Sequence, residues 1–187
     1  TKLKTSKDRF TVTGKNFSCE ISRVSGQILS LKKNKKTALC GGPWLMALSL
    51  NGGGCYPNHN ANTPIHNNLC SDWKTTQVKA RQEGNNVIVD VEGNYKEFKG
   101  EYRLTVNANG ELSVDYRFNA SQDVNPRQWG IVFDAPRNYD STFWRRKGLW
   151  SVYPADHISR PVGSAPLFYT GLPEQIDPRV APSWSWN

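Results

Sequence analysis

No run of about 18 consecutive apolar residues occurs in this 187-residue chain, so no helix long enough to span a bilayer is encoded. Apolar residues at spacings of 3, 4 and 7 never persist over a helical length either, and 15 glycines and 11 prolines interrupt the chain at short intervals. A helical architecture is therefore excluded, and so is a barrel of alternating strands and helices. Internal repeats and low-complexity linkers are lacking as well. The chain begins without an apolar leader, which implies that such a segment was removed or that the piece starts inside a longer protein. Cysteine is sparse: Cys19, Cys40, Cys55 and Cys70 allow three pairings, and the even count fits a secreted or periplasmic protein.

Positive charge, by contrast, is plentiful. Lysine and arginine number 24 against 16 acidic residues, a formal net charge of +8, and such a balance raises nucleic acid or an anionic membrane as a partner. Much of the excess lies in Lys2 to Arg9 and in Lys32, Lys33, Lys35 and Lys36, which fit a frayed terminus and a solvated hairpin tip. Neither run is interleaved with aromatic residues as a base-stacking platform is. The expected partners exclude nucleic acid and membrane on these grounds. Asn16-Phe-Ser and Asn119-Ala-Ser match the glycosylation triplet, which has meaning only in a eukaryotic secretory pathway.

What the chain does contain is strand pattern. Phe10 and Val12, then Phe17, Cys19 and Ile21, alternate with polar residues about a turn at Gly14-Lys15, and Gln27 to Lys33 continues the meander. Gly41-Gly42-Pro43 is expected to stop it, and Trp44 to Leu50 to form a buried strand. Val87, Val89 and Val91 share one face of another strand. Tyr102, Leu104 and Val106 lead through Asn109-Gly110 to Leu112, Val114, Tyr116 and Phe118, the pattern of a hairpin lying on a core. Gln128 to Phe133 adds a further strand, and beyond Pro161 the chain is expected to be irregular. The predicted fold class is all-β: a large antiparallel β-sandwich forming a single domain over residues 1–187.

Residues 51–72 stand apart as a long loop rich in asparagine, glycine and proline, and loops of that length in compact domains are usually functional or poorly ordered. Cys55-x3-His59-x6-His66-x3-Cys70 supplies two thiols and two imidazoles, the ligand set of a structural zinc site. Its spacing differs from the usual short knuckle, so free or disulfide-bonded cysteines stand beside zinc as the alternative, and no metal or other cofactor is assigned.

The densest chemistry falls in Phe143 to Arg160, FWRRKGLWSVYPADHISR. Stacking rings (Trp144, Trp150, Tyr153), cationic donors (Arg145, Arg146, Lys147, Arg160) and His157 beside Asp156 meet there, a mixture suited to contact with a carbohydrate. For the three rings, packing in a core or against another domain is the competing role, favoured for Trp150 and Tyr153 over Trp144. His157 bonded to Asp156 or to backbone competes with a ligand-contacting His157, and Arg160 is expected to brace a carboxylate or carbonyl group.

The order of turn, strand, Gly-Gly-Pro, apolar strand and Asn-rich loop, followed by Trp144-x3-Gly148-x-Trp150-x2-Tyr153-Pro154-x-Asp156-His157-x2-Arg160, resembles the C-terminal β-sandwich of family 2 glycoside hydrolases, the β-galactosidase type. The resemblance covers most of the chain and implies a galactose-mutarotase-like supersandwich. The closing Ser183-Trp-Ser-Trp-Asn187 resembles the start of the family's last strands, which implies truncation at that end. It also implies a division of labour: the catalytic glutamates of such hydrolases belong to a TIM barrel elsewhere in the parent chain, about 5 Å apart for retaining chemistry. This segment is then a non-catalytic accessory domain whose partners are carbohydrate and that barrel. Two alternatives remain, a free-standing carbohydrate-binding module and an aldose epimerase, the latter needing His59 or His157 with Glu174 as an acid and base pair.

Overall fold

The computed structural model describes residues 1–49, 68–139, 141–145, 147 and 161–166. Among them there is no helix, and every strand pairing is antiparallel. Among the described residues no helix is long and apolar enough to cross a membrane. The described residues up to Pro136 form one compact unit and those from Arg137 onward another.

The first unit is an all-β sandwich. Strands β1 (Lys2–Thr5), β2 (Arg9–Thr13), β3 (Phe17–Ser22), β4 (Ile28–Lys33) and β5 (Lys36–Leu39) form a five-stranded meander in sequence order. After β6 (Gly41–Ser49), strands β7 (Lys74–Glu83), β8 (Asn86–Asn94), β9 (Phe98–Val106) and β10 (Leu112–Ala120) make a four-stranded sheet ordered β10-β9-β8-β7. Strand β11 (Pro126–Asp134) pairs with β6 as a two-stranded sheet.

Period-two alternation decides which faces meet. Phe10, Val12, Phe17, Cys19, Ile21 and Leu31 from the meander are buried against Val87, Val89, Val91, Tyr102, Leu104 and Val106 from the second sheet. Burying each Val, Leu or Ile side chain is worth about 1.5–3 kcal/mol, so these two inner faces dominate stability. Leu45 and Ala47 of β6 join the same core. Close approach fixes two turns: Gly26 (φ 71°) lies against the Val91 side chain, and Gly110 (φ 72°) against the Phe17 ring. Both sites combine a left-handed backbone with no room for a Cβ, so glycine is required twice over.

Four local expectations need correction. Lys2–Thr5 is no frayed end but edge strand β1, with Leu3 opposite Val12 and partly buried against the core. Gly41-Gly42-Pro43 does end the five-stranded meander, but the next strand starts earlier than Trp44: β6 begins at Gly41, and all three residues are buried within it. The β9–β10 connection is a loop over 107–111 in which the Asn107 side-chain oxygen accepts from the backbone N–H of Asn109 (2.9 Å) and Glu111 (3.0 Å), and only Gly110 takes positive φ. An asparagine that closes the loop with its own side chain replaces the tight two-residue turn. Finally, Val162–Pro166 is strand β13, paired with β12 (Ser141–Arg145) in the second unit, where an irregular segment is expected.

Candidate functional site

Of the sequence-selected stretch, Trp144 is described on β12; Trp150, Tyr153, His157 and Arg160 lie outside the described residues. Trp144 faces Gly163 across the β12–β13 pair, and its ring covers that glycine so closely that a Cβ there would collide with it. Half-covered by its own hairpin, Trp144 is a packed ring as well as an accessible one. Phe143 points to the opposite face and is 79% exposed.

In the first unit the rings divide into a buried cluster and an exposed pair. Trp73, Tyr95, Tyr102 and Phe118 pack with centroid distances of 4.8–6.2 Å, tilted or edge-on as aromatic quadrupoles prefer. Each buried polar end has a partner. Trp73 Nε1–H donates to the Ser25 carbonyl (3.0 Å), the Leu45 N–H donates to the Tyr95 hydroxyl (2.9 Å), and the Tyr95 and Tyr102 hydroxyls share a bond of 2.6 Å. Burial drives the Tyr102 hydroxyl pKa far up, and the same cause raises Tyr95. These rings are structural.

The exposed pair sits where the cluster reaches the sheet edge. Tyr116 is the cross-strand partner of Tyr102 on β10, the outermost strand of its sheet among the described residues, and remains 37% exposed. Its ring meets Trp129 of β11 edge-on at 6.0 Å, and Trp129 is 64% exposed. Opposite Trp129 on β6 is Ala47, whose small side chain is buried and leaves the indole uncovered. Trp129, Ile131 and Phe133 alternate on one face, with Ile131 and Phe133 packed on the core. The sequence reading missed Trp129. The alternation that could have found it was present, but the identity of its cross-strand partner follows only from register.

The outer face of the four-stranded sheet carries a charge ladder. Lys79, Asp90, Arg103 and Asp115 are successive cross-strand partners over β7, β8, β9 and β10, and the last three line a shallow groove of about 230 Å³. Arg103 Nε donates to Asp90 Oδ1 (2.6 Å) and Arg81 Nη1 to Asp90 Oδ2. Partial burial pushes the Asp90 pKa up, but hydrogen bonds from Arg103 and Arg81 outweigh it and hold the carboxyl below the ordinary range. A carboxylate committed to two guanidiniums is an anchor, not a proton donor at neutral pH.

For the Cys55, His59, His66, Cys70 set, Cys70 alone is described. It is a free thiol buried in the core beneath β6, with its pKa pushed up to about 12 by burial. Among the described residues no cluster of three or more His, Cys, Asp or Glu could hold a metal ion. Asn16 is exposed in the β2–β3 turn and Asn119 on β10.

Fold and surface together define an all-β antiparallel sandwich with an exposed Trp–Tyr pair at one sheet edge. No protein-family model matches the chain, and no curated protein is significantly similar to it.

Proposed function

We propose that this chain is a non-catalytic, carbohydrate-contacting sandwich domain that accompanies a glycoside hydrolase barrel. The observation that carries the reading is the Trp129–Tyr116 pair: a 64% exposed indole held edge-on to a tyrosine at 6.0 Å. A pyranose offers a face of C–H bonds that stacks on such a ring, while its hydroxyls bond polar groups around the ring edge. Tyr116 is the cross-strand neighbour of buried Tyr102, so strand register fixes where the exposed pair sits on the sheet. The resemblance of Trp144 to Arg160 to the β-galactosidase sandwich supports the parent enzyme class.

On this reading Trp129, not Trp144, is the principal stacking ring, and catalysis lies outside the chain. The test is calorimetric titration of the chain with neutral oligosaccharides, compared with Trp129→Ala and Trp144→Ala. Saturable binding weakened about fivefold or more in Trp129→Ala, in keeping with stacking worth about 1 kcal/mol or more, and no hydrolysis by the chain alone, supports the proposal. Binding unaffected by Trp129→Ala, or turnover of a glycoside by the isolated chain, contradicts it.

A further inference from the structure

Topology gathers the lysines of two separate sequence runs at one end of the five-stranded sheet. Lys2 pairs with Thr13, Thr13 with Ser18 and Ser18 with Lys32, so Lys2 and Lys32 share the outer face. Three strand spacings separate them, roughly 14 Å at about 4.8 Å per strand. Lys15 lies in the β2–β3 turn, and Lys33 and Lys36 are partners flanking the β4–β5 turn. At that tip Asn34 (φ 50°) and Lys35 (φ 66°) both take the left-handed conformation of a two-residue hairpin turn, which turns Lys35 outward.

The two turns are joined. The Asn34 N–H donates to the Asn16 carbonyl (2.8 Å), and a cleft of about 680 Å³ opens between them, lined by Lys15, Asn16, Ser18, Lys32, Asn34 and Lys35. These lysines are all exposed, and every ion pair among the described residues uses an arginine as its cation. Glu83 and Glu111, in the facing turns of the other sheet, are engaged by Arg81 and by the Asn107 amide. No acidic residue lines the cleft, and among the described residues none of its lysines is held in an ion pair, so its surface charge is positive. Phe17, the one aromatic lining residue, is buried against Gly14 and Gly110, so no ring is presented for base stacking.

We propose that this twin-turn cleft is a second glycan surface, taking a linear polysaccharide that bears sulfate or carboxylate groups. Lysine ammonium groups spread over the cleft match charges repeated along a polymer better than a single anion, and Asn16, Ser18 and Asn34 supply hydroxyl partners. The surface is separate from Trp129 and does not depend on it.

The test measures binding of the 187-residue chain to dextran sulfate, polygalacturonate, neutral dextran and duplex DNA at about 0.15 M salt, where weak nonspecific pairing is screened. The comparison is a Lys15→Ser/Lys32→Ser/Lys35→Gly variant, the glycine suiting the positive φ. Saturable binding to dextran sulfate assigns sulfate, and to polygalacturonate carboxylate. In either case affinity falls about tenfold or more in the triple variant with a flatter salt dependence, while Trp129→Ala binds as before. The proposal is overturned by no saturable binding to either anionic glycan, by an unchanged triple variant, or by duplex DNA binding as tightly as the glycans. A circular dichroism spectrum and melting temperature equal to those of the parent chain assign a loss to the removed charges; a variant that does not fold is replaced by Lys32→Ser alone, read against the same criteria.

Discussion

The Tyr95 hydroxyl carries two obligations at once, accepting from the buried Leu45 N–H and bonding the Tyr102 hydroxyl. Tyr95→Phe orphans both partners inside the core, whereas Tyr102→Phe removes one bond and leaves the Leu45 contact. Unsatisfied buried groups cost about 1–3 kcal/mol each. Thermal or denaturant unfolding is expected to show Tyr95→Phe the more destabilised of the two, and equal losses would contradict this bonding order. The thiols give a second residue-scale expectation. Burial raises both Cys19 and Cys70 to about 12, while Cys40 is exposed with its Sγ 3.6 Å from the Asp134 carbonyl. Among these three thiols, a thiol reagent at neutral pH labels Cys40 first, with Cys19 and Cys70 reacting only on unfolding; mass spectrometry of the labelled peptides checks the order.

At the scale of elements, the four-stranded sheet is tied on its outer face by the Asp90 ladder. A carboxyl whose folded pKa lies below its unfolded value, near 3.9 for aspartate, contributes stability that is fully present above that value and is lost as pH falls through the folded one. Asp90 is such a group. Asp90→Asn should lower the melting temperature at pH 7 and leave it closer to the parent's in strong acid; a constant difference at all pH values would show that charge is not the cause. The ladder is exposed in part, so the effect is modest.

The strands themselves were legible wherever one face alternates, as at Val87, Val89 and Val91 or Tyr102, Leu104 and Val106, because burial of one face imposes period two. Three features were not. Lys2–Thr5 is polar except at Leu3, so only its pairing with β2 reveals a strand. Gly41-Gly42-Pro43 carries breaker residues, yet burial and pairing of the segment override their local preference. Pattern alone places the β9–β10 turn at Asn109-Gly110, because the closing role of Asn107 is a side-chain contact that alternation does not encode. Tyr116 follows the alternation of Leu112, Val114 and Phe118, but its position on an outer strand leaves it partly exposed.

At the scale of the molecule, the role proposed for the sandwich is contact with a sugar through rings at a sheet edge. The proposed sugar platform unites Trp129 and Tyr116, which are 13 residues apart and come from different sheets. No linear motif encodes such a pair. The sequence pointed instead to a contiguous stretch, of which Trp144 is described and covers Gly163. The proposed platform is tested by following the indole N–H signals of the seven tryptophans by nuclear magnetic resonance during titration with a neutral oligosaccharide. The Trp129 signal, assigned by its loss in Trp129→Phe, is predicted to shift saturably, while that of Trp73, bonded to the Ser25 carbonyl, stays in place. An unmoved Trp129 signal, whether other indoles shift or none do, would contradict the proposed platform.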